Sequence, residues 1–298
     1  MWRQPVRPKR RGLRTDFQVG CVLARLCETV GPGVHWQVRV LGMLRTAIGM
    51  GLGPWQIGSM KGSTVLITGA GRGIGLALAG ELARCGWRVL AGARDPAGAH
   101  DLQTAAQKAA PGRIDVLPLD VCSDESAKAA AKEAATKLRA IDVLVNNAGV
   151  FPEEGNETLE ELPLECFAEA FAVNVVGVAR VTRAFLPLLT AAPYPRVVNI
   201  SSRAGSVSQK EDSRYYCYSA SKAALNMLTR AMAAELRPRG VTVVAISPGW
   251  VKTEMGGPKA PLTAAESAIS LAATIDRMKP GDAGQFLDRD GNRENTAW

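Results

Sequence analysis

Tyr218 and Lys222 stand four residues apart in Tyr-Ser-Ala-Ser-Lys, a spacing that puts a phenol and an ammonium on one face if the segment is helical. A phenol of pKa about 10 is a poor acid at neutral pH, and a neighbouring cation favours its ionised form, so the pair suits proton transfer. Ser201-Ser202 precedes Tyr218 and offers hydroxyl donors. A second chemistry is written in Thr68-Gly69-Ala70-Gly71-Arg72-Gly73-Ile74-Gly75, which follows an apolar run and opens a helical pattern. Glycines let the backbone approach phosphates, and a helix N-terminus supplies unpaired N–H groups and a positive dipole, so this is a pyrophosphate site. The only histidines, His35 and His100, lie outside ligand spacing of a cysteine or of each other. No metal site and no histidine-based nucleophile is expected. The six cysteines form no Cys-x-x-Cys pair and read as thiols.

Short apolar runs alternate with long amphipathic stretches from Lys61 onward, the pattern of parallel strands joined by crossover helices. The runs predict strands over 64–68, 88–93, 114–119, 143–146, 196–201, 241–247 and 285–288. Helices are predicted over 73–85, 97–109, 124–139, 163–190, 216–237 and 263–277, with Ser123 capping the third. Residues 254–265, rich in small residues, read as a lid following the sixth strand. No apolar run approaches the roughly 20 residues that span a bilayer, so a soluble protein without a membrane partner is expected.

The net charge of +8 is concentrated at one end: residues 1–60 hold nine of the 36 Lys and Arg and two of the 28 Asp and Glu. That leaves 27 bases against 26 acids in the rest, so no basic face for nucleic acid is implied. Residues 1–59 therefore read as a basic leader, disordered or upstream of a true start at Met60, and residues 60–298 as the folded domain. A mitochondrial address is the other reading of this Arg-rich segment; otherwise the protein is expected in the cytoplasm.

The glycine spacing, Asn146-Asn147-Ala148-Gly149, Asn174, Ser201-Ser202, Tyr218-x-x-x-Lys222 and Pro248-Gly249 occur in an order that resembles the short-chain dehydrogenase/reductase family over about residues 61–291. Gly284–Gly291 and Ser219–Asn226 are similar to the C-factor and sniffer-like carbonyl reductase group. The resemblance implies an α/β fold, a single doubly wound Rossmann domain whose seven-stranded parallel sheet runs 3-2-1-4-5-6-7. It implies hydride transfer between a nicotinamide cofactor and a small carbonyl or alcohol substrate, with Tyr218 as acid/base. Lys222 would lower the tyrosine's pKa and bind the nicotinamide ribose, Ser202 would hydrogen-bond the substrate oxygen, and Asn174 would hold a water leading to solvent. Gly69, Arg72, Gly73, Ile74, Gly75, Arg94, Asp120, Val121, Asn147, Ala148, Gly149, Tyr218, Lys222, Pro248, Gly249, Val251 and Thr253 would hold the cofactor. The long helices 163–190 and 216–237 would form a homodimer or homotetramer.

An acid at the end of the second strand would select NAD(H), and a cation there would accept the 2′-phosphate of NADP(H). Ala93 takes the acid's place and is followed by Arg94, with Arg72 on the same side. NADP(H) is favoured over NAD(H), with Asp95 the competing group. The interval from Ser202 to Tyr218 is three residues longer than the family's usual one, and Arg203–Cys217 is expected to form a loop over the substrate pocket with Gln209, near Phe151, Tyr215, Trp250 and Met255. Two other readings are an NADP(H)-binding sensor with little turnover and a nucleic-acid binder using the leader.

Overall fold

Strands covered on both faces are mostly apolar, as the runs Thr-Val-Leu-Ile at 64–67 and Val-Leu-Val-Asn at 143–146 are. The computed structural model describes residues 62–155, 157–293 and 298, so the expected leader lies outside the described residues. The main strands are β1 (Thr64–Ile67), β2 (Arg88–Ala93), β3 (Ile114–Pro118), β4 (Val143–Asn146), β5 (Arg196–Ile200) and β6 (Thr242–Ser247). A short parallel pair, β7 (Val251–Lys252) and β8 (Leu262–Thr263), precedes β9 (Phe286–Asp288). The large sheet runs β3-β2-β1-β4-β5-β6-β9 with every neighbour parallel. This is the expected order, its seventh strand numbered ninth because β7 and β8 intervene, β7 just before the stretch read as a lid and β8 inside it.

Alternate strand residues divide the core in two. Val65 and Ile67 of β1 face one layer with Leu78 and Leu82 of α1 (Gly73–Arg84), Leu102 of α2 (His100–Lys108) and Leu271 of α7 (Ala264–Arg277). Leu66 faces the other, with Ala130 of α3 (Asp124–Lys137), Phe185 of α5 (Val178–Thr190) and Leu236 of α6 (Tyr216–Leu236). Ser123 caps α3 as expected, accepting from the Ser126 N–H at 3.1 Å.

The single helix expected over 163–190 is three pieces: α4 (Glu165–Phe171), a π turn over Ala172–Gly177, and α5. Together, Glu165–Thr190 is long and apolar enough to cross a membrane, with a mean hydropathy of 1.4 over an 18-residue window, which the reading of apolar runs missed. Val181, Phe185 and Leu189 are fully buried against the sheet, so its apolar side is spent on the core. The reading of all cysteines as thiols is also corrected. Cys166 of α4 and Cys217 of α6 are joined as a disulfide with Cα atoms 6.0 Å apart, a pairing across 51 residues that no local spacing announces.

Candidate active site

At the end of β1 the chain must turn tightly and let β4 approach. Gly69 has φ +63, and a Cβ there would lie 2.8 Å from Ala148 Cα. The Thr68 hydroxyl accepts the N–H groups of Asn147 and Ala148 at 3.0 Å each, and Asn147 Nδ2 donates back to the carbonyls of Thr68 and Gly69 at 2.9 and 3.1 Å. These bonds fix the glycine turn. Arg72 gives α1 no side-chain cap, and no acid lies in its first turn. The first N–H groups of α1 therefore carry an uncompensated positive field, which fits a phosphate.

Of the residues assigned to cofactor binding, all but Gly75, Gly249 and Val251 line one cleft of about 790 Å³. Gly75 lies behind the turn against the Gly69 carbonyl, Gly249 packs on Leu262 and Arg289, and Val251 is buried in β7. At the end of β2, Ala93 is buried and Arg94 is exposed at the cleft. Asp95, the competing group, also lines the cleft, and its Oδ1 accepts from the N–H groups of Ala97 and Gly98 at 3.1 Å each. Arg72 is ion-paired with Glu254 across the cleft mouth.

Tyr218 and Lys222 meet at the other end of the cleft, where Lys222 Nζ lies 5.6 Å from the tyrosine ring centroid and donates to the Ile200 carbonyl at 2.8 Å. Burial pulls Lys222 down to about 8. Burial also pushes the Tyr218 hydroxyl up to about 12, against the opposing pull of the Ser202 hydroxyl beside it. The expected lowering of the tyrosine's pKa is thus reversed here, because desolvating a phenolate outweighs its hydrogen bond.

The two serines differ in their partners, and of the two it is Ser201 that is among the residues lining the cleft. Ser201 Oγ donates to Asn226 Oδ1 at 2.6 Å in the core, whereas Ser202 Oγ accepts from the Ala204 N–H at 3.1 Å and sits beside the Tyr218 hydroxyl. Asn174, in the π turn, is fully buried and does not line the cleft. Its Oδ1 accepts from the Val150 N–H at 2.9 Å, and its Nδ2 donates to the Val150 carbonyl and Ser221 Oγ at 3.0 and 2.9 Å. A Cβ at Gly149 would lie 3.2 Å from Asn174 Oδ1 and 3.7 Å from Lys222 Nζ, so the two polar groups converge on that glycine.

None of residues 203–217 lines this cleft. Lys210 and Arg214 instead lie over the Tyr215 ring, 5.8 and 5.3 Å from its centroid. Of the residues expected around substrate, Met255 borders the cleft, while Trp250 Nε1 donates to the Gly256 carbonyl at 2.8 Å. Sequence reasoning missed Glu153, a buried carboxylate that lies within 4.8 Å of the Cys166–Cys217 disulfide beside Tyr218. It also missed Glu254, for which no spacing rule gives a signal.

A family description of short chain dehydrogenases matches residues 63–262, and with this fold and cleft the chain belongs to that family of oxidoreductases. It is 34% identical over 243 residues to an uncharacterized oxidoreductase of Schizosaccharomyces pombe, covering 76% of this chain and 94% of that one. It is 42% identical over 151 residues to the C-signal protein of Myxococcus xanthus, covering 51% of this chain and 90% of that one. Among solved structures, the NADPH-bound carbonyl reductase from chicken fatty liver superposes with a TM-score of 0.74 at 34% identity, over 80% of this chain and all of that one. Carbonyl reductase Sniffer of Drosophila melanogaster superposes at 0.73 and 29% identity, again over 80% of this chain and all of that one.

Proposed function

We propose that the protein is an NADP(H)-dependent reductase of small carbonyl compounds, with Tyr218 as the acid/base group. The observation that carries this reading is the convergence in one cleft of an uncapped helix N-terminus and two arginines at one end with Tyr218 and Lys222 at the other. The first N–H groups of α1 would hold the pyrophosphate, and Arg72 and Arg94 would take the 2′-phosphate through charge-assisted hydrogen bonds. Asp95 lines the same cleft, but its Oδ1 is already taken by the N–H groups of its own turn. The bound cofactor supplies or accepts the hydride.

Negative charge develops on the carbonyl oxygen during reduction and must be met by a donor. A phenol held up to about 12 keeps its proton until that charge appears and then gives it up. Lys222, pulled down to about 8, is still mostly charged at neutral pH and stands beside the phenolate left behind. Ser202 holds the same oxygen, and Asn174 fixes the wall formed by Gly149 and Val150.

The test follows NADPH and NADH oxidation at about 340 nm against a panel of aldehydes, ketones and quinones, with Tyr218→Phe as control. Turnover with NADPH that falls by roughly 10²–10⁴-fold in Tyr218→Phe is expected. No turnover across the panel, with NADPH binding retained, would favour the sensor reading.

A further inference from the structure

We propose that Glu153 is a positioning residue for Tyr218; the inference rests on the reading of Tyr218 as the acid/base group. A helix leaves its first N–H groups without internal acceptors, and the usual remedy is a Ser, Thr, Asp or Asn just before the first turn. Here that place falls to Tyr215, which is left-handed at φ 63 and gives no side-chain cap. The first bond inside the helix runs from the Ser219 N–H to the Tyr215 carbonyl, so the donors of Cys217 and Tyr218 need acceptors from elsewhere.

Glu153 supplies both. Its Oε2 accepts from the Cys217 N–H at 3.1 Å and its Oε1 from the Tyr218 N–H at 2.7 Å. The residue is 6% exposed, and a buried carboxylate facing the positive end of a helix makes strong, oriented bonds. The same loop touches the tyrosine a second time: the Phe151 ring packs edge-on 5.1 Å from the Tyr218 ring and 5.3 Å from that of Tyr215. Cys217 is also tied to Cys166. The loop after β4 that carries the cleft wall thus grips the turn that carries the acid. Glu153 does not line the cleft, so it acts through Tyr218. A small misplacement of such an acid costs rate well beyond its cost in binding.

The experiment uses the full chain and compares wild type with Glu153→Gln, Glu153→Asp and Tyr218→Phe. NADPH stoichiometry and Kd are read by fluorescence titration, and kcat and KM are measured with 4-nitrobenzaldehyde and the wider carbonyl panel. The glutamine keeps one acceptor and turns an NH₂ group toward a donor. Full NADPH stoichiometry, a Kd within about twofold, a KM within about threefold and a kcat per NADPH-binding site lower by about tenfold are expected. Aspartate, which keeps the charge on a shorter arm, is expected between the two. An unchanged kcat per binding site in Glu153→Gln overturns the proposal, because a merely structural role lowers only the number of active sites. Should the glutamine variant not fold, an unchanged kcat per site in Glu153→Asp does the same. If Tyr218→Phe turns over at the wild-type rate, or nothing in the panel is reduced by wild type, it is the acid/base reading that fails.

Discussion

Replacing Arg94 with alanine isolates the proposed 2′-phosphate contact. Arg94 is exposed at the cleft, and no ion pair to another of the described residues would have to be broken first. A hydrogen bond to a charged group contributes about 1.5–3 kcal/mol, so NADPH binding should weaken roughly 10- to 150-fold while NADH binding changes less than about twofold. Arg72 is different because Glu254 competes for it; the two side chains are 77% and 73% exposed. An exposed ion pair contributes about 0.2–1 kcal/mol, so Arg72→Ala should cost less than Arg94→Ala by that amount. By the same arithmetic Glu254→Gln should tighten NADPH binding by about 1.5- to 5-fold, a gain that shrinks as salt is added. Fluorescence titration of both nucleotides at two ionic strengths reads all of this. Equal losses for NADPH and NADH in Arg94→Ala, or weaker NADPH binding in Glu254→Gln, would refute the reasoning.

Lys222→Met should show a pH-dependent stability difference. Burial holds Lys222 at about 8 against an ordinary 10.5, so between those values the unfolded chain binds a proton that the folded chain does not. Stability conferred through this group therefore rises with pH across that window and is lost as pH falls through about 8. The variant's Tm relative to wild type should accordingly be most favourable near about pH 7.5 and decline toward about pH 10; a difference that stays flat contradicts the burial argument. Gly149→Ala should cost about 1–3 kcal/mol by overpacking against Asn174 and should lower kcat disproportionately, which thermal melts and kinetics on one preparation would separate.

The large sheet was legible because buried parallel strands leave short apolar runs, and β2 and β4 match their predicted ends residue for residue. The glycine turn and the Tyr218–Lys222 pair were legible because their spacings serve needs that are local in the chain, whereas Asp120, Val121, Pro248 and Thr253 were reached through the family resemblance. What escaped notice is non-local. Glu153 reaches a turn 64 and 65 residues away, and Cys166 meets Cys217 only because α4 packs beside α6. The π turn also left no mark, since Ala-Val-Asn-Val-Val-Gly reads as an ordinary stretch of apolar helix. Nor does sequence show that burial outweighs the Ser202 hydrogen bond at Tyr218, because that balance depends on how much water the cleft excludes.

A π turn contains one residue more than the α-helical geometry it interrupts, and each residue of an α-helix rotates the chain by about 100°. Deleting one residue from 172–177 would let α4 and α5 close into a continuous helix, at the expense of turning one against the other. Asn174 would leave Val150 and Ser221, and Cys166 would swing away from Cys217. Chain length is therefore fixed to the single residue at this point, whereas the exposed stretch 207–213 has room to grow or shrink. Lineages of this protein should vary in length at the second place and hold constant at the first.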